Sequence, residues 1–281
     1  MTPRQSTAAR RQSGLVTLGP EETVLLRTLD GLFERWGLEA GAASMTMPPL
    51  VPVASLVNLG YYENFPHQAM LAAGLDLRDG PPAIGGGSTA IAPEALAPAG
   101  LALPPAACYG VYLDLEGTAV EDGTAVTIVG RCFRKEEHYD GLRRLFGFHM
   151  REVVRLGSRP TTDKHLDLFT ERTLGLAAEL ELPMSRVPAT DPFYDSGGSK
   201  ALMQRLYPVK YEFVVDDLAI ASTNVHRNFF GERCSITLAG SGETATTSCV
   251  AFGLERWISV LVDRYGAAGA TARLTSAERN S

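Results

Sequence analysis

Apolar positions along the chain follow two different spacings, and the change from one to the other predicts where helices and strands lie. Over residues 20–37 apolar side chains recur every three or four positions, after a proline that suits a helix start. The same spacing predicts helices over 164–182 and 252–265, with a shorter one over 200–206. Alternating or β-branched runs predict strands over 109–115, 125–133, 147–156, 210–215, 219–223 and 235–239.

The order of these elements predicts an α+β fold, an antiparallel β-sheet flanked by helices. Strands follow one another in runs instead of alternating strictly with helices, which disfavours a doubly wound parallel sheet. The turn signals Glu116-Gly117 and Asp122-Gly123 indicate that the first two predicted strands form a hairpin. Residues 1–19 and 266–281 lack apolar periodicity, so we expect flexible tails around one catalytic domain at 20–265.

Charge and cysteine usage narrow the class of protein. The formal net charge of -6 weakens any interpretation that needs a broad basic surface, so a tRNA partner is not expected. The four cysteines form no CxxC pair, and no apolar run approaches the ~20 residues needed to span a bilayer. We therefore expect a cytoplasmic protein with reduced thiols.

One chemically informative stretch runs from 132 to 152. Arg134 and Glu136 stand two residues apart, and Phe148 follows on the next predicted strand, so a hairpin would bring a cation, a carboxylate and an aromatic ring together. A guanidinium can neutralise a phosphate, and an aromatic face can hold a base. A solvated charged hairpin remains the alternative when this stretch is taken alone.

A second stretch covers 247–257. Gly253 allows close approach of the backbone to a ligand at the start of a helix, and Arg256 in the first turn can point at a polyphosphate. Taken alone, the same residues also fit an amphipathic helix with a surface arginine.

Together, the two stretches resemble the sequence motifs of class II aminoacyl-tRNA synthetases. Phe133-Arg134-x-Glu136 looks like motif 2, Gly253-Leu254-Glu255-Arg256 like motif 3, and 22–49 like motif 1, which implies a homodimer. The resemblance implies ATP, with Mg2+, as a substrate. It also implies roles for Arg134, Glu136 and Arg256 as catalytic residues, and for Arg134, Glu136, Arg144, Phe148 and Arg256 as ATP-binding residues.

Within that class, 141–152 is most similar to seryl-tRNA synthetases, and Ser222-Thr223-Asn224 resembles their Ser-Asn element. Asn224 is therefore the expected contact for a small side chain, whereas Leu218 stands where a magnesium-binding carboxylate is expected. Mg2+ would then need Glu136 or another acid. Nothing resembles the long N-terminal coiled coil with which those enzymes bind tRNA.

Residues 20–265, without such a coiled coil, resemble the amino acid:[carrier protein] ligases, truncated relatives of the zinc-containing atypical seryl-tRNA synthetases. The resemblance implies a Zn2+ site at Cys108, Glu152 and Cys249, with a fourth position left for the substrate's amino group. Sequence spacing alone would favour buried apolar roles for lone cysteines, which we expect for Cys132 and Cys234.

The activity implied is ATP-dependent activation of a small amino acid, glycine or alanine, followed by transfer to the phosphopantetheine thiol of a carrier protein. Alternatives are an aminoacyl transferase that uses tRNA or another small acceptor, and a non-catalytic synthetase paralogue. Docking of an acidic carrier would need a local basic patch. The candidates are Arg155, Arg159, Lys164, Arg172, Lys200, Arg205 and Lys210.

Overall fold

The computed structural model describes residues 14–82 and 84–280, and its centre is a seven-stranded sheet. The strand order is β1-β6-β7-β12-β10-β9-β8, and every neighbouring pair is antiparallel except β1 with β6. The α+β fold class with an antiparallel sheet is therefore confirmed. The strands are β1 Ala43–Met45, β6 Ala125–Phe133, β7 Gly147–Gly157, β8 Met184–Ala189, β9 Lys210–Val215, β10 Leu218–Arg227 and β12 Thr246–Gly253.

Three long helices cover one face of this sheet: α1 Pro20–Glu39, α5 Arg159–Glu179 and α8 Leu254–Asn280. Their buried apolar positions meet those of the central strands, as when Phe33 of α1 stacks on Phe252 of β12 with ring centroids 3.9 Å apart. Trp257 of α8 is fully buried in the same layer. This face is the main hydrophobic core, and the opposite face carries a second hydrophobic cluster.

Shorter elements surround the opposite face of the sheet. They include two minor sheets, β2-β4-β3 and β5-β11. The helices are α2 Val53–Asn58, α3 Tyr61–Asn64, α4 Cys108–Asp114, α6 Ser199–Leu206 and α7 Phe229–Arg233, and the minor strands are β2 Val51–Pro52, β3 Leu71–Ala72, β4 Leu101–Ala102, β5 Ala119–Val120 and β11 Thr237–Leu238.

The prediction of a strand over 109–115 is wrong, because this segment belongs to helix α4. Its buried residues are Cys108, Val111 and Tyr112, at the spacing of three and four that one helix face requires. The predicted hairpin with 125–133 is therefore also wrong. The hairpin partner of β6 is β7.

Strand β12 was missed, and the last helix begins two residues later than predicted, at Leu254. Both faces of β12 are covered, so residues 247–252 are all buried and show no alternation of polar and apolar types. The edge strand β8 was missed as well. Most of its residues are exposed, so it shows no apolar pattern.

The prediction of a flexible C-terminal tail at 266–281 is wrong for the described residues. Helix α8 continues through a bend at Gly266 as far as Asn280. Ala270, Leu274 and Ala277 are buried at helical spacing in the main core. Alanine favours helix strongly, so a composition that suggested a tail instead extends the helix.

Of the predicted N-terminal tail, residues 1–13 lie outside the described residues. Residues 14–19 are described, and the carbonyl oxygen of Gly14 accepts a hydrogen bond from the amide of Phe146 (3.0 Å). This end of the chain therefore contacts the loop between β6 and β7.

Within 14–82 and 84–280, the helices are too short or too polar to cross a bilayer.

Candidate active site

The register of the central strands sets which side chains lie together on the face of the sheet opposite the three long helices. Glu152 of β7 pairs with Ala251 of β12, and Cys249 of β12 pairs with Asn224 of β10. Directly paired residues of antiparallel strands point to the same face, as do residues two apart on one strand. Phe148 therefore lies on the same face as Glu152. Strand pairing thus brings together residues that are more than a hundred positions apart, such as Phe148 and Cys249.

Cys108, Glu152 and Cys249 form a buried cluster on this face. Their three ligand atoms all lie within 4.8 Å of one another. Helix α4 brings Cys108 over the sheet, and the amide of Ala107, just before that helix, donates to Glu152 Oε1 at 2.8 Å. Two sulfurs and one carboxylate oxygen are donors that zinc accepts, and three ligands leave one tetrahedral position open. The donor set therefore fits the metal that the sequence resemblance implies.

Burial shapes the protonation of the cluster. It raises the pKa of Glu152 to about 7, helped by the neighbouring Cys249, whereas hydrogen bonds from Cys108 and Ala107 lower that pKa. The Cys108 thiol donates to Cys249, which lowers the pKa of Cys249 and raises that of Cys108. Three acidic groups in one buried place repel one another when ionised, and a divalent cation would remove that repulsion.

Two further side chains orient the sulfur of Cys249. The amide of Asn224 donates to Cys249 Sγ at 3.4 Å and to Ser222 Oγ at 3.2 Å. His226 Nε2 lies 3.7 Å from the same sulfur, while its Nδ1 lies 3.1 Å from the hydroxyl of Tyr112. Asn224, predicted as a substrate contact, thus lies beside the candidate metal ligands.

Arg134 and Phe148 meet at the other end of the face. The guanidinium carbon of Arg134 lies 5.3 Å from the ring centroid of Phe148, and Arg134 Nε donates to the carbonyl of Pro105 at 3.1 Å. Arg134 follows the end of β6 at Phe133, so it does not share a strand face with Glu136 as the sequence suggested. It reaches the site from the loop after the strand.

Glu136, Arg144 and Arg256 complete this positively charged end. Glu136 and Arg144 form an ion pair of 2.8 Å. Arg256 is fixed by two backbone carbonyls, those of Arg143 and Ala219, each at 2.9 Å. Burial and the nearby Arg134 and Arg144 lower the pKa of Arg256 to about 10, so it remains a cation at neutral pH.

All nine residues predicted for the site line one cavity of about 610 Å³. The cysteine-glutamate cluster lies at one end and the arginines at the other, with Asn224 beside the cluster. The cavity thus offers adjoining places for an amine and for a polyphosphate. The roles of the individual residues stay predictions.

Sequence reasoning missed several residues of the same cavity. Leu218, where a carboxylate was expected, is buried in the core on the helix side. Glu212 of β9 lines the cavity instead, opposite Ser222 of β10. Lys210 lies between Glu212 and Asp191, at 3.3 and 3.2 Å. The alternation of the predicted strand 210–215 placed Lys210 and Glu212 on one face and was the available signal.

Glu255 was also missed, although it adjoins Arg256. Its carboxylate accepts the backbone amide of His149 at 2.8 Å and lies 2.7 Å from Nδ1 of the same histidine. Because β12 has ended at Gly253, this carboxylate takes the place of a further strand partner. It thus joins the start of α8 to the strand that carries Phe148.

The candidate basic patch is divided by the fold. Lys200 and Lys210 line the cavity, and Arg205 lies on the same short helix as Lys200. Arg155 donates to the backbone carbonyls of Gly123 and Ala40, away from the cavity. Arg159 and Arg172 are paired with acids elsewhere.

Comparison with known proteins shows which family the chain belongs to. No family model matches the chain. Two curated proteins of Bradyrhizobium diazoefficiens, amino acid--[acyl-carrier-protein] ligases 1 and 2, are each 32% identical over 246 residues. These alignments cover 81% of this chain, and 73% and 71% of the two relatives.

Solved structures agree at the level of the fold. The SerRS of M. kandleri, solved with A. aeolicus tRNASec, superposes with a TM-score of 0.76 at 22% identity, over 98% of this chain and 62% of its own. The serine-tRNA ligase of Naegleria fowleri, solved with AMP, gives a TM-score of 0.68 at 10% identity, over 92% of this chain and 54% of its own. With this class II synthetase fold and that sequence similarity, the chain belongs to the family of amino acid--[acyl-carrier-protein] ligases.

Proposed function

We propose that this protein activates a small amino acid with ATP and transfers the aminoacyl group to the phosphopantetheine thiol of a carrier protein. The observation that carries the proposal is the single cavity that joins a Cys-Glu-Cys cluster to three arginines and an aromatic ring. The names of the two curated relatives support the carrier protein as acceptor.

The arginine end of the cavity suits ATP. Phe148 offers a face for adenine, and Arg134 lies beside that face, where the α-phosphate would follow. Arg144 and Arg256 can take the remaining phosphates, and their charges would stabilise the departing pyrophosphate. Mg2+ would bind together with ATP. Glu136 and Glu212 are the carboxylates available to it, because both lie close enough to Arg256 to influence its pKa.

The cluster end suits the amino group of the substrate. Cys108, Glu152 and Cys249 would hold zinc, which when bound supplies a Lewis acid for the α-amine. With the amine fixed there, the substrate's carboxylate faces the arginine end. Glycine and alanine, proposed as substrates, leave little side chain to place near Asn224 and His226.

The first step needs no base, because a carboxylate is already ionised at neutral pH. Its oxygen attacks the α-phosphorus of ATP, a new O–P bond forms, and the bond to pyrophosphate breaks. Holding both reactants in one cavity supplies much of the acceleration. In the second step the carrier's thiol releases its proton to solvent and attacks the acyl carbon, AMP leaves, and a thioester remains.

Pyrophosphate exchange into ATP tests the activation step. We expect exchange that depends on glycine or alanine, and we expect the Cys108→Ala variant to lose most of it. No exchange with any small amino acid would refute activation.

Transfer is tested separately with a phosphopantetheinylated carrier protein and with tRNA as competing acceptors. A thioester on the carrier supports the proposal. Adenylate formation without thioester would refute the transfer step, and aminoacylated tRNA would favour a different acyl transferase.

A further inference from the structure

One residue that lines the cavity carries a buried hydroxyl group. Tyr61, the first residue of helix α3, lines the cavity and is 4% exposed. Its hydroxyl oxygen is buried and has no hydrogen-bond partner within 14–82 and 84–280. A buried hydroxyl without a hydrogen-bond partner destabilises a protein, so such a group on a residue of a binding cavity points to a ligand.

The surroundings of Tyr61 locate this hydroxyl along the cavity. Its ring contacts Tyr109, with centroids 6.2 Å apart, and Tyr109 adjoins the cluster residue Cys108. Arg134 and Glu136 are also near enough to influence the titration of the Tyr61 hydroxyl. Tyr61 thus contacts the helix that carries Cys108 and lies near Arg134.

Burial keeps the Tyr61 hydroxyl protonated, so that it can donate a hydrogen bond. It raises the pKa of Tyr61 to about 12, against a lowering by Arg134 and smaller raising effects of Tyr62 and Glu136. The group therefore keeps its proton at neutral pH, and an anionic oxygen is the matching partner.

We propose that Tyr61 is a substrate-binding residue whose hydroxyl donates a hydrogen bond to an anionic oxygen at the junction of the amino acid's carboxylate and the α-phosphate of ATP. This inference rests on the proposed function, because that function places the junction between the cluster and Arg134. It adds a neutral donor to the arginines as a recognition element for the acyl phosphate.

The neighbouring Tyr62 provides a matched control. Its hydroxyl is also buried and without a partner in the described part of the chain, but Tyr62 does not line the cavity. The change from tyrosine to phenylalanine removes one oxygen at either position. Tyr61→Phe and Tyr62→Phe should therefore have similar effects on the free protein, and neither should lower its thermal unfolding temperature.

Calorimetric titration of the zinc-loaded protein with glycyl-sulfamoyl-adenosine, a stable mimic of the adenylate, tests the contact. We expect binding about tenfold weaker or more for Tyr61→Phe, and unchanged within about twofold for Tyr62→Phe. The thermal shift caused by the mimic should shrink only for Tyr61→Phe. Equal affinities of the two variants would overturn the inference.

Titration with ATP alone distinguishes the two sources of the oxygen. Weaker binding of both ATP and the mimic by Tyr61→Phe assigns the contact to the α-phosphate group, and weaker binding of the mimic alone assigns it to the acyl oxygen. Either outcome supports the inference. If the wild-type protein binds neither ATP nor the glycyl, alanyl or seryl mimic, the proposed function is refuted and this inference with it. If the wild-type protein binds them and Tyr61→Phe binds them equally well, only this inference is refuted.

Discussion

The Cys-Glu-Cys cluster is the part of the site where single atoms matter most. Four cysteines of the described chain are buried and free, so burial alone does not separate ligands from apolar core residues. Position does, because Cys108 and Cys249 lie with Glu152 in one cluster while Cys132 and Cys234 lie outside it.

We predict that the wild-type protein purifies with about one zinc per chain and that Cys108→Ala loses most of it, since two remaining ligands hold zinc weakly. Cys132→Ala, which removes an equally buried sulfur outside the cluster, should keep its zinc. Elemental analysis of the purified variants measures this. Full zinc content in Cys108→Ala would contradict the assignment.

His165 gives a prediction about pH. This histidine of α5 is 3% exposed and donates from Nε2 to the carbonyl of Val153 at 3.1 Å. Burial lowers its pKa to about 4, from 6.5. The unfolded chain therefore binds this proton first as pH falls, and the contribution of His165 to the free energy of unfolding decreases from pH 6.5 towards pH 4, by up to about 1.4 kcal/mol per pH unit.

Denaturant unfolding across that range should show a shallower decrease for His165→Gln than for the wild-type protein. His138→Gln is the control, because His138 is exposed and its surroundings change little on unfolding. Parallel curves for wild type and His165→Gln would show that other groups set the acid sensitivity.

The elements show where sequence patterns succeed and where they mislead. Helix α1 and strand β9 follow their patterns because each has one apolar face towards a core and one polar face, which in β9 is turned towards the cavity. Helix α4 is too short for alternation to be distinguished from helical spacing, and β12 is covered on both sides. The end of α8 has a tail-like composition but finds a core to pack against.

Leu274 tests that last correction. It is fully buried in the main core, on the part of α8 that lies beyond Gly266. Leu274→Ala should lower the free energy of unfolding by about 2–5 kcal/mol, because it removes apolar contacts and leaves a cavity. Leu206→Ala, at an exposed helical leucine, should change it by only about 0.5 kcal/mol. Equal, small effects in denaturant titrations would mean that residues 267–277 do not pack as described.

For the whole molecule, the prediction concerns its oligomeric state. The resemblance of 22–49 to motif 1 predicts a homodimer. Val24 and Leu38 support it, because these exposed apolar residues lie fourteen positions apart on α1, close to four helical turns, and so on one side of the helix. Strand β1 also lies at an edge of the sheet.

Analytical ultracentrifugation should give twice the mass of one chain at micromolar concentration. Leu38→Glu should shift the protein towards the monomer, since a charge would enter an apolar interface, whereas Leu206→Glu should not. A single-chain mass for the wild-type protein would refute the dimer.

The sequence by itself determined the fold class and, through its resemblance to known motifs, nine of the residues that line the cavity. Those residues can be recognised from the sequence alone, because they belong to short motifs: an arginine two positions from a glutamate, a glycine before a helix, and cysteines at characteristic places. Such signals are local, because each depends on a few neighbouring residues.

Only the tertiary structure decided how distant residues meet. Strand register sets Cys249 beside Asn224 and Glu152, and it brings Glu212 to the cavity while Leu218 enters the core. The tertiary structure also shows that the hydroxyl of Tyr61 is buried without a hydrogen-bond partner in the described chain. Packing across the chain determines pairing, burial and unmet hydrogen bonds, and no short stretch of sequence encodes them.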